Sequence, residues 1–138
     1  MTIPARLRRQ VIERAKHRCE YCGLSQAGQE AEFHIDHIIP SSSAGPTTLD
    51  NLALACVSCS LRKGARELAP DPRTGKDAAL FDPRRDLWRL HFRWEREHVV
   101  GLTATGRATV SALSMNRPLA LAIRNEEVLR GRHPPASK

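Results

Sequence analysis

Two cysteine pairs, Cys19-x-x-Cys22 and Cys56-x-x-Cys59, bracket the chain's first half with 33 residues between them. Cysteines two apart can set both thiolates on one tight knuckle, and two such knuckles complete a tetrahedral zinc site. One pair alone would equally fit a redox motif. Two pairs at this separation read as a structural zinc clamp held by Cys19, Cys22, Cys56 and Cys59. A disulfide-exchange protein fits poorly, because thiolates on zinc are weak nucleophiles and nothing here reads as a thioredoxin-type βαβ unit. Between the knuckles stand two further runs, His34-Ile35-Asp36-His37-Ile38-Ile39-Pro40 and Leu49-Asp50-Asn51-Leu52.

Taken together, these residues resemble the HNH endonuclease family. The resemblance rests on Asp36-His37 followed by Ile-Ile-Pro, then Gly45, Leu49, Asn51 and Leu52. The second cysteine pair and Lys63-Gly64 follow in the family's usual order. It covers roughly the first half of the chain. The later runs LFDPRRDLWRLHFRW, GLTATGRATV and MNRP look like a C-terminal extension found in one subgroup of small HNH proteins. The resemblance implies a β-hairpin and a helix around a catalytic divalent metal (a ββα-metal core).

Phosphodiester hydrolysis needs an activated water and a cation that neutralises charge on the phosphorane and the departing oxygen. Asp36 offers a carboxylate suited to Mg²⁺ or another divalent cation. His37 beside it is the natural general base, since imidazole changes charge near neutral pH. The family gives the matching positions these same roles, and gives Asn51's position the task of holding the base-bearing strand. His34 lies two residues before Asp36, so a regular strand points both to one face. It reads either as a further metal ligand or as an ordinary strand histidine. His91 and His98 read as structural. Ser60 departs from the family, which usually has His or Asn after the last zinc cysteine as a second ligand of the catalytic metal. A serine hydroxyl is a shorter and weaker donor. Arg62, Lys63 and Arg66 follow on a basic helix suited to gripping phosphates, contacts that fix position without reading sequence.

Composition agrees with a polyanionic partner. The 138 residues carry 22 Lys+Arg against 15 Asp+Glu, a net charge of +7 and a pI near 9.9. Such a balance favours nucleic acid, with plain solubility as the blander reading. No apolar run approaches the roughly 20 residues that span a membrane. The N-terminus lacks a signal peptide's apolar core, so a cytoplasmic location with reduced thiols is expected.

The expected fold class is α+β. Residues 1–66 would form the nuclease core with an N-terminal helix. Residues 67–138 would form an α/β extension packed on it as one compact domain, with a disordered tail over 131–138. A chain this size buries only a modest core, and a metal would supplement the few aromatics. In order, the pattern predicts a helix over 5–17, packing on the clamp or contacting DNA through its outer face. A strand over 33–39 and a return strand over 52–55 follow. The stretch 67–77 reads as a loop, and strands over 90–94 and 98–102 pair. Thr103 would cap a helix to about 115. A last helix over 118–130 would turn Leu119, Ala122, Ile123 and Leu129 inward. The chain reads as a metal-dependent endonuclease acting on DNA, double-stranded above all. The alternative is a zinc-clamped nucleic-acid-binding module that has lost cleavage through Ser60.

Overall fold

In the computed structural model, residues 3–136 are described, and they divide into two compact units. The first runs to Glu67 and includes Asp82–Arg85; the second holds Leu68–Phe81 and the residues from Asp86 onward.

In the first unit, helix α1 (Ala5–Arg14) buries Val11. The chain leaves the helix through Lys16 and His17, both at positive φ, which explains why the helix ends short of residue 17. Arg14 donates to the carbonyl oxygens of Leu49 (2.7 Å) and Leu52 (2.6 Å), tying α1 to the return strand. Strands β1 (His34–His37) and β2 (Leu52–Ala55) pair antiparallel, with His34 opposite Ala55 and His37 opposite Leu52. β2 is buried along its whole length and leads into helix α2 (Val57–Lys63). Strand, strand and helix therefore follow in the ββα order, and the class is α+β as expected.

Glu20, between the first two cysteines, fastens this unit further. Its carboxylate accepts from the Leu54 amide (2.8 Å) and pairs with Arg84. The side chains of Glu20 and Arg84 are only 5% and 17% exposed. Segment Asp82–Arg85 thus supplies a cation to the fold around the first knuckle.

In the second unit, β3 (Leu68–Pro70) and β4 (Asp77–Ala79) form a hairpin where the sequence reads as a loop. Asp71 explains it. Its buried carboxylate accepts from the Arg73 amide, the Thr74 hydroxyl and two Arg107 nitrogens (2.9 and 2.8 Å), so a proline- and charge-rich turn is held from within. Helix α3 (Trp88–His91) precedes β5 (Phe92–Glu95), which pairs with β6 (His98–Gly101). The Thr103 hydroxyl caps α4 (Ala104–Ala112) through the Gly106 amide (3.0 Å). Gly106 has no room for a side chain, because a Cβ there would lie 2.0 Å from the His91 carbonyl oxygen. Trp88 stacks on Trp94 with ring centroids 5.1 Å apart, and Phe92 packs against Trp88 and Phe81.

Helix α5 (Pro118–Leu129) reverses the expected orientation. It buries Ala120, Arg124 and Glu127, while Leu119 and Leu129 are 62% and 82% exposed. Arg124 donates to the Glu97 carbonyl (2.9 Å) and lies over the Trp94 ring; Glu127 pairs with Arg132 (2.6 Å). Satisfied polar groups thus took the face that apolar periodicity assigned to leucines. Of the tail expected to be disordered, Arg132 holds that ion pair and His133 sets its ring edge-on to Trp94 at 4.5 Å. Residues 137 and 138 of that expectation lie outside the described residues.

Candidate active site

The four cysteines converge from two knuckles. All are buried, and their sulfurs lie within 4.8 Å of one another. The Cys22 and Cys56 sulfurs are 3.7 Å apart, far beyond a disulfide bond of about 2.05 Å. A tetrahedral zinc with bonds of about 2.3 Å sets its sulfurs roughly 3.8 Å apart. Each knuckle repeats one bond: the Cys22 amide donates to Cys19 sulfur and the Cys59 amide to Cys56 sulfur, both at 3.4 Å. Gly23, at φ +79°, closes the first knuckle through its amide to the Cys19 carbonyl. Burial pushes the Cys19 thiol well up, and hydrogen bonding from that thiol holds Cys22 well down. Four thiolates confined together need a cation to carry charge at once. The cluster fits a structural zinc ion.

β1 sends alternate side chains to opposite faces. Toward α2 go His34 and Asp36; the other face has Ile35 and His37. On α2, Ser60 and Lys63 are three residues apart and so share a face. His34 Nδ1 lies 2.9 Å from Ser60 Oγ, and Asp36 Oδ2 lies 3.1 Å from Lys63 Nζ. Asp36 Oδ2 also accepts from the Tyr21 hydroxyl at 2.7 Å. Both contacts fall on one carboxylate oxygen. Burial pushes the Asp36 carboxyl up, against the opposing pull of Lys63 and Tyr21.

Lys63 corrects the sequence reading. Its side chain is 2% exposed and donates to the His37 and Ile38 carbonyls (3.1 and 3.2 Å) as well as to Asp36. A lysine so enclosed does not reach a phosphate at the surface. It is instead the internal cation of the ββα junction. Arg62 and Arg66 are exposed; Arg62 Nε reaches Ser58 Oγ, and Arg66 donates to the Arg62 carbonyl.

His37, at the end of β1, is half-buried and has its Nε2 2.9 Å from Thr47 Oγ1. Asn51 holds the chain beyond it. The Asn51 side chain accepts from the Ile39 amide (2.9 Å) and donates to the carbonyls of Ile39 (3.0 Å) and Pro46 (2.9 Å). Gly45 completes this turn: a Cβ there would lie 1.7 Å from the Ile39 carbonyl oxygen. His91 and His98 both lie in the second unit, where His91 Nδ1 is 2.6 Å from Thr103 Oγ1. Sequence reasoning missed Tyr21 and Thr47, the partners of Asp36 and His37. The only available signal was the chain's single tyrosine sitting between two zinc ligands.

The HNH endonuclease family model matches residues 19–66. This segment is similar to the HNH endonuclease family. The match spans both cysteine knuckles, β1, β2 and α2, and ends at Arg66. No curated protein and no solved structure matches the chain. The HNH match and the cysteine cluster associate the chain with nucleic acid and with zinc. No helix among the described residues is long and apolar enough to cross a membrane.

Proposed function

We propose that the HNH segment hydrolyses phosphodiester bonds in DNA, double-stranded above all, with His37 as general base and a divalent cation bound beside Asp36. The observation that carries this reading is His37 at the end of β1, followed by a turn that Asn51 clamps through three hydrogen bonds. A general base must stand in fixed register to the water it deprotonates, and a clamped turn gives it that register. With Nε2 as acceptor, the ring takes a proton from water once Thr47 yields to substrate.

The donor set fits a divalent cation. Asp36 commits one oxygen to Tyr21 and Lys63, which leaves Oδ1 as a hard donor. Mg²⁺ or a first-row divalent ion there would stabilise charge on the phosphorane and the leaving oxygen. Tyr21 and Lys63 fix the carboxylate, and Lys63 holds the His37 and Ile38 carbonyls in the same grip. Arg62 and Arg66, exposed just beyond, grip the backbone of the nucleic acid.

A second reading keeps the zinc clamp and nucleic-acid binding but not cleavage. Ser60 favours it, because its hydroxyl is a weak metal donor and is engaged by His34. Incubation of the zinc-loaded protein with supercoiled plasmid and Mg²⁺, Mn²⁺ or Ni²⁺, against a chelator control, separates the two. Cation-dependent nicking supports the nuclease. Plasmid retardation without nicking under every cation supports the binding module.

A further inference from the structure

We propose that His34 is the imidazole ligand of the divalent cation beside Asp36, and that Ser60 is the residue that positions it. The inference rests on the nuclease reading above and deepens it. Three observations carry it. His34 and Asp36 stand two apart on one strand, so their side chains leave the same face of β1. His34 Nδ1 lies 2.9 Å from Ser60 Oγ on the helix that packs against this face. His34 Nε2 has no hydrogen bond among the described residues, and His34 is only half-buried.

Histidines that ligate metals commonly place the other ring N–H on an oxygen, which sets the tautomer and orients the ring. With Nδ1–H donated to Ser60 Oγ, Nε2 keeps its lone pair for a cation. Ser60 thus contributes through His34, and the serine no longer has to ligate anything. An imidazole supplied by β1 gives the site a nitrogen donor without calling on a ligand from α2. One carboxylate and one imidazole also form a softer set than oxygens alone. Such a set favours Mn²⁺, Co²⁺ or Ni²⁺ over Mg²⁺. The plainer alternative is that the His34–Ser60 bond merely fastens β1 to α2, and it predicts no contact between His34 and a cation.

Pulsed electron paramagnetic resonance of Mn²⁺ on the zinc-loaded full chain discriminates directly, because an imidazole nitrogen bonded to Mn²⁺ modulates the echo. The wild type is expected to show that nitrogen modulation, His37→Ala to keep it, and His34→Ala to lose it while retaining zinc. Ser60→Ala is expected to weaken Mn²⁺ binding by about 10- to 100-fold with the modulation still present at saturation. Wild-type protein that binds Mn²⁺ without nitrogen modulation, or binds none, overturns the assignment even if His34→Ala fails to fold. So does modulation that survives His34→Ala. Plasmid nicking by a wild type lacking the modulation would reject this ligand alone. Modulation in a protein that never nicks would reject the nuclease and keep the ligand.

Discussion

Lys63 brings its ammonium to 3.1 Å from the Asp36 carboxylate, with the two side chains only 2% and 8% exposed. The pair joins the third element of the ββα unit to the first. The same ammonium binds the His37 and Ile38 carbonyls, so its position and that of the proposed general base are set together.

Removing one member of a buried pair leaves the other charge uncompensated. Lys63→Met is therefore expected to destabilise the protein by about 3–5 kcal/mol, measured by urea unfolding. Arg62→Ala, one residue away and exposed, is expected to change stability by no more than about 0.5 kcal/mol. Equal, small effects of the two would contradict the buried role of Lys63.

The exposed arginines belong to a different test. If Arg62 and Arg66 touch phosphates, Arg62→Ala and Arg66→Ala each weaken DNA binding at all sequences alike. Each also reduces the slope of log affinity against log salt by about 1. Fluorescence anisotropy over a salt series measures it, and an unchanged slope in both variants removes them from the interface.

Zinc is expected at one ion per chain by elemental analysis, because closed four-thiolate sites contribute directly to folding. Cys59→Ser or Cys22→Ser should lose the ion and much of the helical circular dichroism. Stoichiometric zinc retained in both variants would contradict the four-cysteine clamp.

Asp71 makes stability depend on pH. The Arg107 guanidinium, through paired hydrogen bonds, holds the Asp71 carboxyl well below the usual carboxylate range. As acid is added, the unfolded chain takes up this proton first, so the native state loses ground. The stabilisation is complete above the ordinary aspartate value near pH 4 and fades below it. Asp71→Asn should be less stable than wild type at pH 7, with the gap narrowing progressively below about pH 4. A gap constant from pH 7 to pH 3 would show that the carboxylate charge is not what holds the β3–β4 turn.

Much of the first unit was legible because its constraints are local or carried by residue type. Cysteine spacing foretold the clamp, and the resemblance gave Asn51's position the task of holding the strand that bears His37. The Thr103 cap was equally plain. Lys63 was misread because a lysine in a basic run looks like surface. Its burial depends on a carboxylate and two carbonyls brought to it by β1, and no local pattern records them. Helix α5 failed in the opposite direction. Its leucines made the most apolar stripe, yet Arg124 and Glu127 turn inward because Trp94, Glu97 and Arg132 meet them there. The β3–β4 hairpin was hidden because Asp71 needs Arg107, 36 residues away, to hold a turn of prolines and charges.

The most direct measurement is the nicking rate of supercoiled plasmid by zinc-loaded wild type and His37→Ala, in Mn²⁺, with DNA affinity determined for both. The expected result is cation-dependent nicking by wild type, a loss of roughly 10²- to 10⁴-fold in His37→Ala, and little change in affinity. A wild type that binds plasmid but never nicks it, or a His37→Ala variant that nicks at the wild-type rate, would contradict His37 as the general base of a nuclease.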